Sequence, residues 1–150
     1  LLKEVIDNCI DEFVMGNGKQ IDISLDENFM QVRDYGRGIP LGKVKDCAAV
    51  INTGAKYNDD VFQFSVGLNG VGTKAVNALS CKFRVVAFRD GKYAEAIFER
   101  GTLISQKKGK KADQKDGTYF EFLADPEIFG DFEFNCHKPG RFLCNMYLCK

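Results

Sequence analysis

The first fourteen residues place apolar side chains on one side of a 100° helical wheel and polar side chains on the other. The apolar side carries Leu2, Val5, Ile6, Cys9, Ile10 and Phe13, and the polar side carries Glu4, Asp7, Asn8 and Asp11. This spacing predicts an amphipathic helix that ends at Gly16-Asn17-Gly18, where two glycines disfavour its continuation.

Alternating apolar and polar positions then predict a sheet. Residues 20–24 and 28–33 alternate on either side of Asp26-Glu27, as in a hairpin, and residues 82–89 and 92–99 flank Asp90-Gly91, a favoured tight turn. Residues 118–123 are a further strand-like run. Short helices are expected at residues 44–51 and after Gly72. The pattern predicts an α+β two-layer sandwich with helices covering one face of a mostly antiparallel sheet.

Three segments lack a clear period. Residues 53–69 look like a loop. Residues 101–117 hold five lysines and few apolar side chains, which is typical of a mobile surface loop and leaves a DNA phosphate contact as the alternative. The tail after Asp131 contains Pro139-Gly140, so at most a short helix is expected behind it.

Composition narrows the class of protein. The 150 residues suit a single domain, and 45% hydrophobic residues allow a normal core. Twenty-one basic and twenty-one acidic residues give zero formal charge, so no global field attracts DNA or an anionic membrane. No apolar run is long enough to span a bilayer and no secretion signal is visible, so a cytoplasmic location with reduced thiols is expected. Cys136, His137, Cys144 and Cys149 do not match the spacing of a zinc site.

A first candidate site lies on the predicted N-terminal helix. Glu4, Asn8 and Asp11 share one face, although Asn and Asp are poor helix formers. An Asn oxygen suits Mg²⁺ at about 2.1 Å, and Glu4 could act as base on a water. A solvated polar face is the alternative.

Two glycine-rich segments form further candidates. Asp34 ends a strand before Gly36 and Gly38, where a carboxylate could accept a hydrogen bond from an amine on a flat ligand; an ordinary glycine turn also explains this segment. The segment from Gly67 to Lys74 precedes a predicted helix and could bring backbone N–H groups to phosphates. It lacks the spacing of a P-loop and the βαβ setting of a dinucleotide-binding turn.

The order of these three signals resembles the GHKL ATPase superfamily, which includes type II topoisomerases, the heat-shock chaperone, mismatch-repair proteins and histidine kinases. The strings most similar to the B subunits of DNA gyrase and topoisomerase IV are Glu4-Val5-Ile6-Asp7-Asn8, Gly36-Arg37-Gly38-Ile39-Pro40, Thr53-Gly54-Ala55-Lys56-Tyr57, Gly70-Val71-Gly72, Val76-Asn77-Ala78-Leu79-Ser80 and Asp116-Gly117-Thr118. The resemblance covers nearly the whole chain and implies the Bergerat-type two-layer sandwich, with a mixed, mostly antiparallel sheet.

The resemblance also implies a role for each matching residue. Glu4 would be the general base on the attacking water, Asn8 would hold Mg²⁺, and Asp34 would accept from the adenine amino group, with Thr118 and a bound water completing the adenine edge. The residues that would line the base or close over the triphosphate are Gly38, Ile39, Lys56, Gly67, Leu68, Asn69, Gly70, Val71 and Gly72. Arg37, Pro40 and Arg89 would border the pocket where this family binds coumarin antibiotics such as novobiocin.

The implied function is ATP binding and hydrolysis with Mg²⁺ in a bacterial type IIA topoisomerase, acting on DNA together with a DNA-cleaving A-type subunit. Relative to that family the chain is expected to lack the N-terminal dimerisation arm and the transducer domain, and therefore to be monomeric with slow turnover. Tyr35, Val66 and Asn69 depart from the usual pattern, and binding is expected to survive these changes. A nucleotide-binding module that no longer hydrolyses ATP is the alternative.

Overall fold

The structure, a computed structural model, describes residues 1–26, 28–49, 71–130 and 142–147. Its helices are α1 Leu2–Val14, α2 Val44–Ala49, α3 Gly72–Ala78 and α4 Pro126–Phe129. Its strands are β1 Gln20–Asp26, β2 Phe29–Asp34, β3 Ser80–Arg89, β4 Lys92–Glu99, β5 Thr102–Lys110, β6 Gly117–Ala124 and β7 Phe142–Tyr147. None of the helices in these ranges is long and apolar enough to cross a bilayer.

The strands form a seven-stranded sheet in the order β5-β4-β3-β6-β2-β1-β7. All six described pairings are antiparallel. β6, late in the chain, lies between β2 and β3, so the centre of the sheet is built from segments far apart in sequence. The predicted α+β sandwich with a mostly antiparallel sheet and helices on one face is confirmed.

The core lies between the helices and one face of this sheet. Phe83 sits opposite Phe98 on β4 and Phe122 on β6, and all three rings are at most 1% exposed. The Phe83 ring centroid lies 6.1 Å from that of Phe98 and 6.3 Å from that of Phe122, at tilted angles that aromatic pairs favour. Val5 of α1 joins the same core. Burying each large apolar side chain contributes about 1.5–3 kcal/mol, so this layer anchors α1 against the sheet.

The opposite sheet face carries a polar network. Arg84 on β3 pairs with Glu95 on β4 at 2.6 Å and with Glu121 on β6 at 3.3 Å. Tyr119 donates its hydroxyl hydrogen to the same Glu121 carboxylate at 2.7 Å. Side chains alternate along a strand, so these polar residues lie on the face opposite the phenylalanine core.

Two sequence predictions are wrong. Residues 102–110 of the supposed mobile loop form β5, which pairs along its length with β4. β5 is an edge strand, and exposed lysines on an edge discourage pairing with other chains, which explains why a strand here looks like a loop. Behind Pro139-Gly140, where the sequence predicts at most a short helix, β7 pairs with β1. The loop predicted at residues 53–69 lies outside the described residues.

Candidate functional site

Asp34 is a buried carboxylate held by backbone donors. It ends β2 and is 5% exposed. Its Oδ1 accepts hydrogen bonds from the N–H of Gly36 at 2.9 Å and of Thr118 at 3.1 Å. Burial raises the pKa of the Asp34 carboxyl, and these two donors oppose that rise because they favour the charged form.

The second Asp34 oxygen keeps capacity for a ligand. Within the described part of the chain, its contact is the Cys9 thiol, with Sγ at 3.9 Å from Oδ2. The same thiol donates to the carbonyl of Val5 at the shorter distance of 3.2 Å. A thiol is a weak donor with one hydrogen, so Oδ2 can still accept a strong hydrogen bond from a ligand N–H.

The segment that follows Asp34 runs close to β3. Gly38 has φ +72°, and a side-chain carbon added there would lie 2.5 Å from the carbonyl oxygen of Phe88. Only glycine combines this backbone conformation with so close an approach. Ile39 then packs against the core, and the carbonyl of Pro40 accepts from the N–H of Lys43 at 2.8 Å, leading into α2.

Glu4 and Asn8 meet the first turn of α3. Asn8 Nδ2 donates to the Glu4 carbonyl at 2.8 Å and to Thr73 Oγ1 at 3.0 Å. A side-chain carbon added at Gly72 would lie 2.5 Å from Glu4 Oε2, so the carboxylate lies directly against that glycine. α1 therefore presents a carboxylate and an amide beside the start of α3, and its Cys9 contacts Asp34.

The Asn8 amide fits a role as magnesium ligand. Its bonds to the Glu4 carbonyl and to Thr73 both use Nδ2, and a carbonyl partner requires the NH₂ end at that position. Oδ1 is thus the end left for a cation. No cluster of three or more His, Cys, Asp or Glu side chains suited to a metal occurs among the described residues. Such a cluster is not required, because Mg²⁺ keeps several waters and takes phosphate oxygens as ligands.

Glu12 and Arg37 form a second charged group near Asp34. Arg37 donates through Nε to Glu12 Oε2 at 3.1 Å and through Nη2 to Oε1 at 2.8 Å, a two-point contact. Burial by itself raises the pKa of Glu12, but the bonds from Arg37 and the nearby charge of Arg89 hold that pKa below its usual value. Of the three predicted rim residues, Arg37 therefore pairs with Glu12 directly, and Arg89 acts on the same carboxylate through its charge.

Five of the predicted site residues meet at two places in the structure. The structure brings together Glu4, Asn8 and Gly72 at the α1–α3 contact, and Asp34 with Thr118 at the β2–β6 contact. Val71 is 49% exposed and precedes α3. The predicted phosphate-loop residues Lys56, Gly67, Leu68, Asn69 and Gly70 lie outside the described residues.

Sequence reasoning missed several residues that shape this site. The Thr73 hydroxyl accepts a hydrogen bond from the Asn8 amide. The Cys9 thiol contacts Oδ2 of Asp34, and the Gly36 N–H donates to Oδ1 of the same carboxylate. Cys9 is visible on the apolar side of the predicted helix next to Asn8, and Thr73 directly follows the last glycine of its motif. Nothing in the local pattern shows which partner each would meet.

This chain is similar to known proteins over most of its length. Residues 1–127 match the family described as histidine kinase-, DNA gyrase B-, and HSP90-like ATPase. The chain is 64% identical over 135 residues to the B subunit of DNA topoisomerase 4 from Borreliella burgdorferi, covering 90% of this chain and 22% of that protein. It is 37% identical to the B subunit of DNA gyrase from Thermus thermophilus, covering 92% of this chain and 24% of that protein.

A solved structure shows the same fold. The 43K ATPase domain of Thermus thermophilus gyrase B, crystallised in complex with an aminocoumarin, superposes with a TM-score of 0.73 at 31% identity. The match covers 91% of this chain and 36% of that one. The chain thus spans only about a fifth to a quarter of the length of the two full-length relatives.

Proposed function

This chain belongs to the family of histidine kinase-, DNA gyrase B- and HSP90-like ATPases, and we propose that it is the ATP-binding and ATP-hydrolysing part of a type IIA topoisomerase B subunit. Its similarity to the B subunits of topoisomerase IV and gyrase supports this assignment. In the whole protein, ATP-driven dimerisation would gate the passage of DNA, together with a DNA-cleaving A-type subunit, in the cytoplasm.

The observation that carries the proposal is the Asp34 carboxylate. One of its oxygens is occupied by two backbone N–H groups and the other faces only a weak thiol donor among the described residues. An adenine amino group is a donor of the right kind for that second oxygen. Thr118, 5% exposed and next to the carboxylate, would complete the edge that reads the base, while Gly38 and Ile39 would line it.

The polar face of α1 would serve the phosphates. Glu4 would accept a proton from the attacking water, which requires an accessible carboxylate near the γ-phosphate. Glu4 is exposed and lies against Gly72, at the start of the helix that follows the glycine motif. Asn8 Oδ1 would hold Mg²⁺, which when bound neutralises charge on the phosphates. Lys56 and residues 67–72 would close over the triphosphate.

The same pocket would take coumarin antibiotics, bordered by Arg37, Pro40 and Arg89. The support is that Arg37 pairs with Glu12 in the segment that follows Asp34, and that Phe88, the neighbour of Arg89, has its carbonyl oxygen against Gly38 of the same segment. As a domain assignment, residues 1–150 would belong to the ATP-binding domain.

Calorimetric titration with a non-hydrolysable ATP analogue and Mg²⁺ tests the proposal. Wild type should bind saturably, and Asp34→Asn should lose at least about tenfold in affinity, because an amide presents an N–H donor or a weaker acceptor to the adenine amine. Asp22→Asn is the matched control, since Asp22 on β1 accepts from the Tyr35 hydroxyl and has no hydrogen bond to Asp34 among the described residues. Equal binding by wild type and Asp34→Asn would contradict the proposal.

A parallel titration with novobiocin tests the pocket without involving phosphate contacts. Binding of novobiocin but not of nucleotide by the folded wild type would restrict the proposal to the adenine end of the site. If circular dichroism shows a folded chain that binds neither ligand, the proposed activity of this chain is wrong.

A further inference from the structure

Arg33 is bound between two aromatic rings on the sheet face that the helices leave uncovered. Its guanidinium carbon lies 4.8 Å from the centroid of the Tyr35 ring and 4.7 Å from that of Phe88. From there Nη2 donates to the carbonyl of Lys115 at 2.6 Å. Stacking between rings suits a planar guanidinium and limits its freedom, so this side chain is a rigid link between β2 and the turn before β6.

The turn that Arg33 holds leads directly into the nucleotide site. Gly117 has φ +134°, and a side-chain carbon added there would lie 2.6 Å from Arg33 Nη1 and would also clash with the Asp34 carbonyl oxygen. The backbone at Gly117 is therefore pressed against the end of β2. The next residue, Thr118, donates its N–H to Asp34 Oδ1 on the other side of the sheet.

Adjacent residues of a strand point to opposite faces, so Arg33 and Asp34 hold the start of β6 from the two sides of the sheet. We propose that Arg33 is a positioning residue for nucleotide binding: by fixing the turn at Lys115 and Gly117, it places the Thr118 N–H that holds the Asp34 carboxylate ready for its ligand. The inference rests on the proposed function, since it takes Asp34 as the acceptor for adenine.

Charge adds a second route from Arg33 to Asp34. Among the described residues, the titratable groups Cys9 and Glu12 face Asp34 from α1, and the charge of Arg33 acts on Asp34 from the opposite face of the sheet. Burial raises the pKa of Asp34, and the positive charge of Arg33 counters that rise. Removing the charge therefore raises the pKa of Asp34 further, and the ionised form that accepts the amine is lost at a higher pH.

Several acidic groups act on Arg33 through their charge, and within the part of the chain that the structure describes none of them forms an ion pair with it. Burial lowers the pKa of Arg33 below its usual value. The charges of Asp34, Tyr35, Asp22 and Asp116 oppose only part of that shift. Its Nη1 is buried with no hydrogen-bond partner among the described residues. An unsatisfied buried donor lowers the stability of the fold. This cost is consistent with a role for Arg33 that depends on the hydrogen bond from Nη2 to the Lys115 carbonyl.

Arg84 provides a matched control on the same sheet face. It is also partly buried, stacks near an aromatic ring, 5.7 Å from the centroid of Tyr119, and pairs with Glu95 and Glu121. Its side-chain contacts among the described residues are with Glu95 on β4 and with Tyr119 and Glu121 within β6, and they include neither the turn before β6 nor Asp34. Arg84→Gln thus removes a comparable guanidinium and perturbs the same face without the proposed link.

The experiment measures affinity for the ATP analogue between about pH 5 and pH 8 for wild type, Arg33→Gln, Arg33→Lys and Arg84→Gln. Arg33→Gln should weaken binding about tenfold at neutral pH and move the acid loss of affinity to higher pH. Arg33→Lys keeps the charge but not the stacked fork, so affinity should fall while the pH midpoint stays near that of wild type. Arg84→Gln should match wild type in both.

Hydrogen exchange at the Thr118 amide gives an independent readout. It should be faster in both Arg33 variants and unchanged in Arg84→Gln, because Arg33 donates to the Lys115 carbonyl in the adjoining turn whereas Arg84 pairs with Glu95 and Glu121. If Arg33→Gln fails to fold, Arg33→Lys alone decides through its affinity and its exchange rate. Unchanged exchange at Thr118, or a pH midpoint in Arg33→Gln equal to that of Arg84→Gln, would overturn the proposal.

The Asp34→Asn variant distinguishes failure of the proposed function from failure of the proposed role of Arg33. If Asp34→Asn binds nucleotide as wild type does, the proposed function itself is wrong. If Asp34→Asn loses binding while the Arg33 variants behave like Arg84→Gln, the site stands and only the positioning role of Arg33 is wrong.

Discussion

The backbone N–H of Thr118 donates to Oδ1 of Asp34 at 3.1 Å although 84 positions separate the two residues. The contact exists because β6 lies next to β2 in the sheet. Together with the Gly36 N–H, it holds a carboxylate that is almost fully removed from water. Two fixed dipoles replace part of the lost hydration of the charged group.

This burial predicts that Asp34 lowers stability at neutral pH. Because the folded-state pKa of Asp34 is raised, its contribution is favourable below the ordinary value of about 3.9 and is lost as pH rises through the folded-state pKa. Without nucleotide, Asp34→Asn should therefore raise the melting temperature by about 2–4 °C at pH 7, and the difference should shrink toward pH 4. Thermal unfolding over this pH range measures it. A lower melting temperature for the variant at pH 7 would mean that the hydrogen bonds outweigh the cost of burial.

Glu4 should affect turnover and not binding. Replacing Glu4 by Gln removes the base but keeps its size, so ATP hydrolysis should fall by at least about 100-fold while analogue affinity changes less than about twofold. A coupled phosphate-release assay and calorimetry measure the two quantities. Asp11→Asn, on the same helix, is the control and should retain turnover. Negligible turnover in wild type, unchanged in Glu4→Gln, would instead favour a module that binds nucleotide without hydrolysing it.

Asn8 should couple nucleotide affinity to Mg²⁺. Asn8→Ala removes the amide oxygen, so the gain in analogue affinity on adding Mg²⁺ should shrink by about tenfold relative to wild type. Thr73→Val removes one of the two acceptors that orient the amide and should have a smaller effect in the same direction. Titrations with Mg²⁺ and with EDTA give the comparison. The same magnesium dependence in all three proteins would exclude Asn8 as a ligand.

The Glu12–Arg37 pair should stabilise the fold only above acidic pH. The pKa of Glu12 is lowered in the folded state, so its contribution is present above the ordinary value of about 4.3 and is lost as pH falls through the folded-state pKa. Glu12→Gln should reduce the free energy of unfolding by about 1 kcal/mol at pH 7, since the contact has two points and is partly shielded from water.

Denaturant unfolding at pH 7 and near pH 3 checks this expectation. The difference between wild type and Glu12→Gln should be smaller at the lower pH, because part of the Glu12 carboxylate is then protonated. Asp7→Asn, which removes the exposed Lys3–Asp7 pair near the start of α1, should have a much smaller effect at both. A constant difference across pH would show that Glu12 acts through packing.

The local sequence pattern was sufficient to predict the elements that have one face in the core and the other toward solvent. α1 has an apolar side against the sheet, and its predicted span of residues 1–14 is close to Leu2–Val14. The hairpin of β1 and β2 was also predicted, because its apolar positions alternate with polar ones, and the extent of β4 was predicted from a β-rich run behind the Asp90-Gly91 turn. The position of the predicted adenine acceptor at the end of a strand follows from the same alternation.

The local sequence pattern did not predict features that depend on which elements pack together in the fold. β5 has one neighbour and one open edge, so its lysines are favourable in a strand although they look like a loop. The pairing of Asp34 with Thr118, and of Arg33 with Lys115, depends on strand order, which periodicity does not contain. The partners of Cys9 and Thr73 likewise depend on how α1 and α3 meet.

The insertion of β6 between β2 and β3 also has a consequence for the order of events during synthesis. Residues 1–40 contain the carboxylate, the amide and the glycine turn, yet Asp34 gains its second backbone donor only from residue 118. Strands that are far apart in sequence pair late, because the entropic cost of bringing the ends of the intervening chain together opposes the contact. A nascent chain should therefore be unable to form the complete Asp34 site until β6 has left the ribosome, which would make nucleotide binding a reporter of the finished sheet.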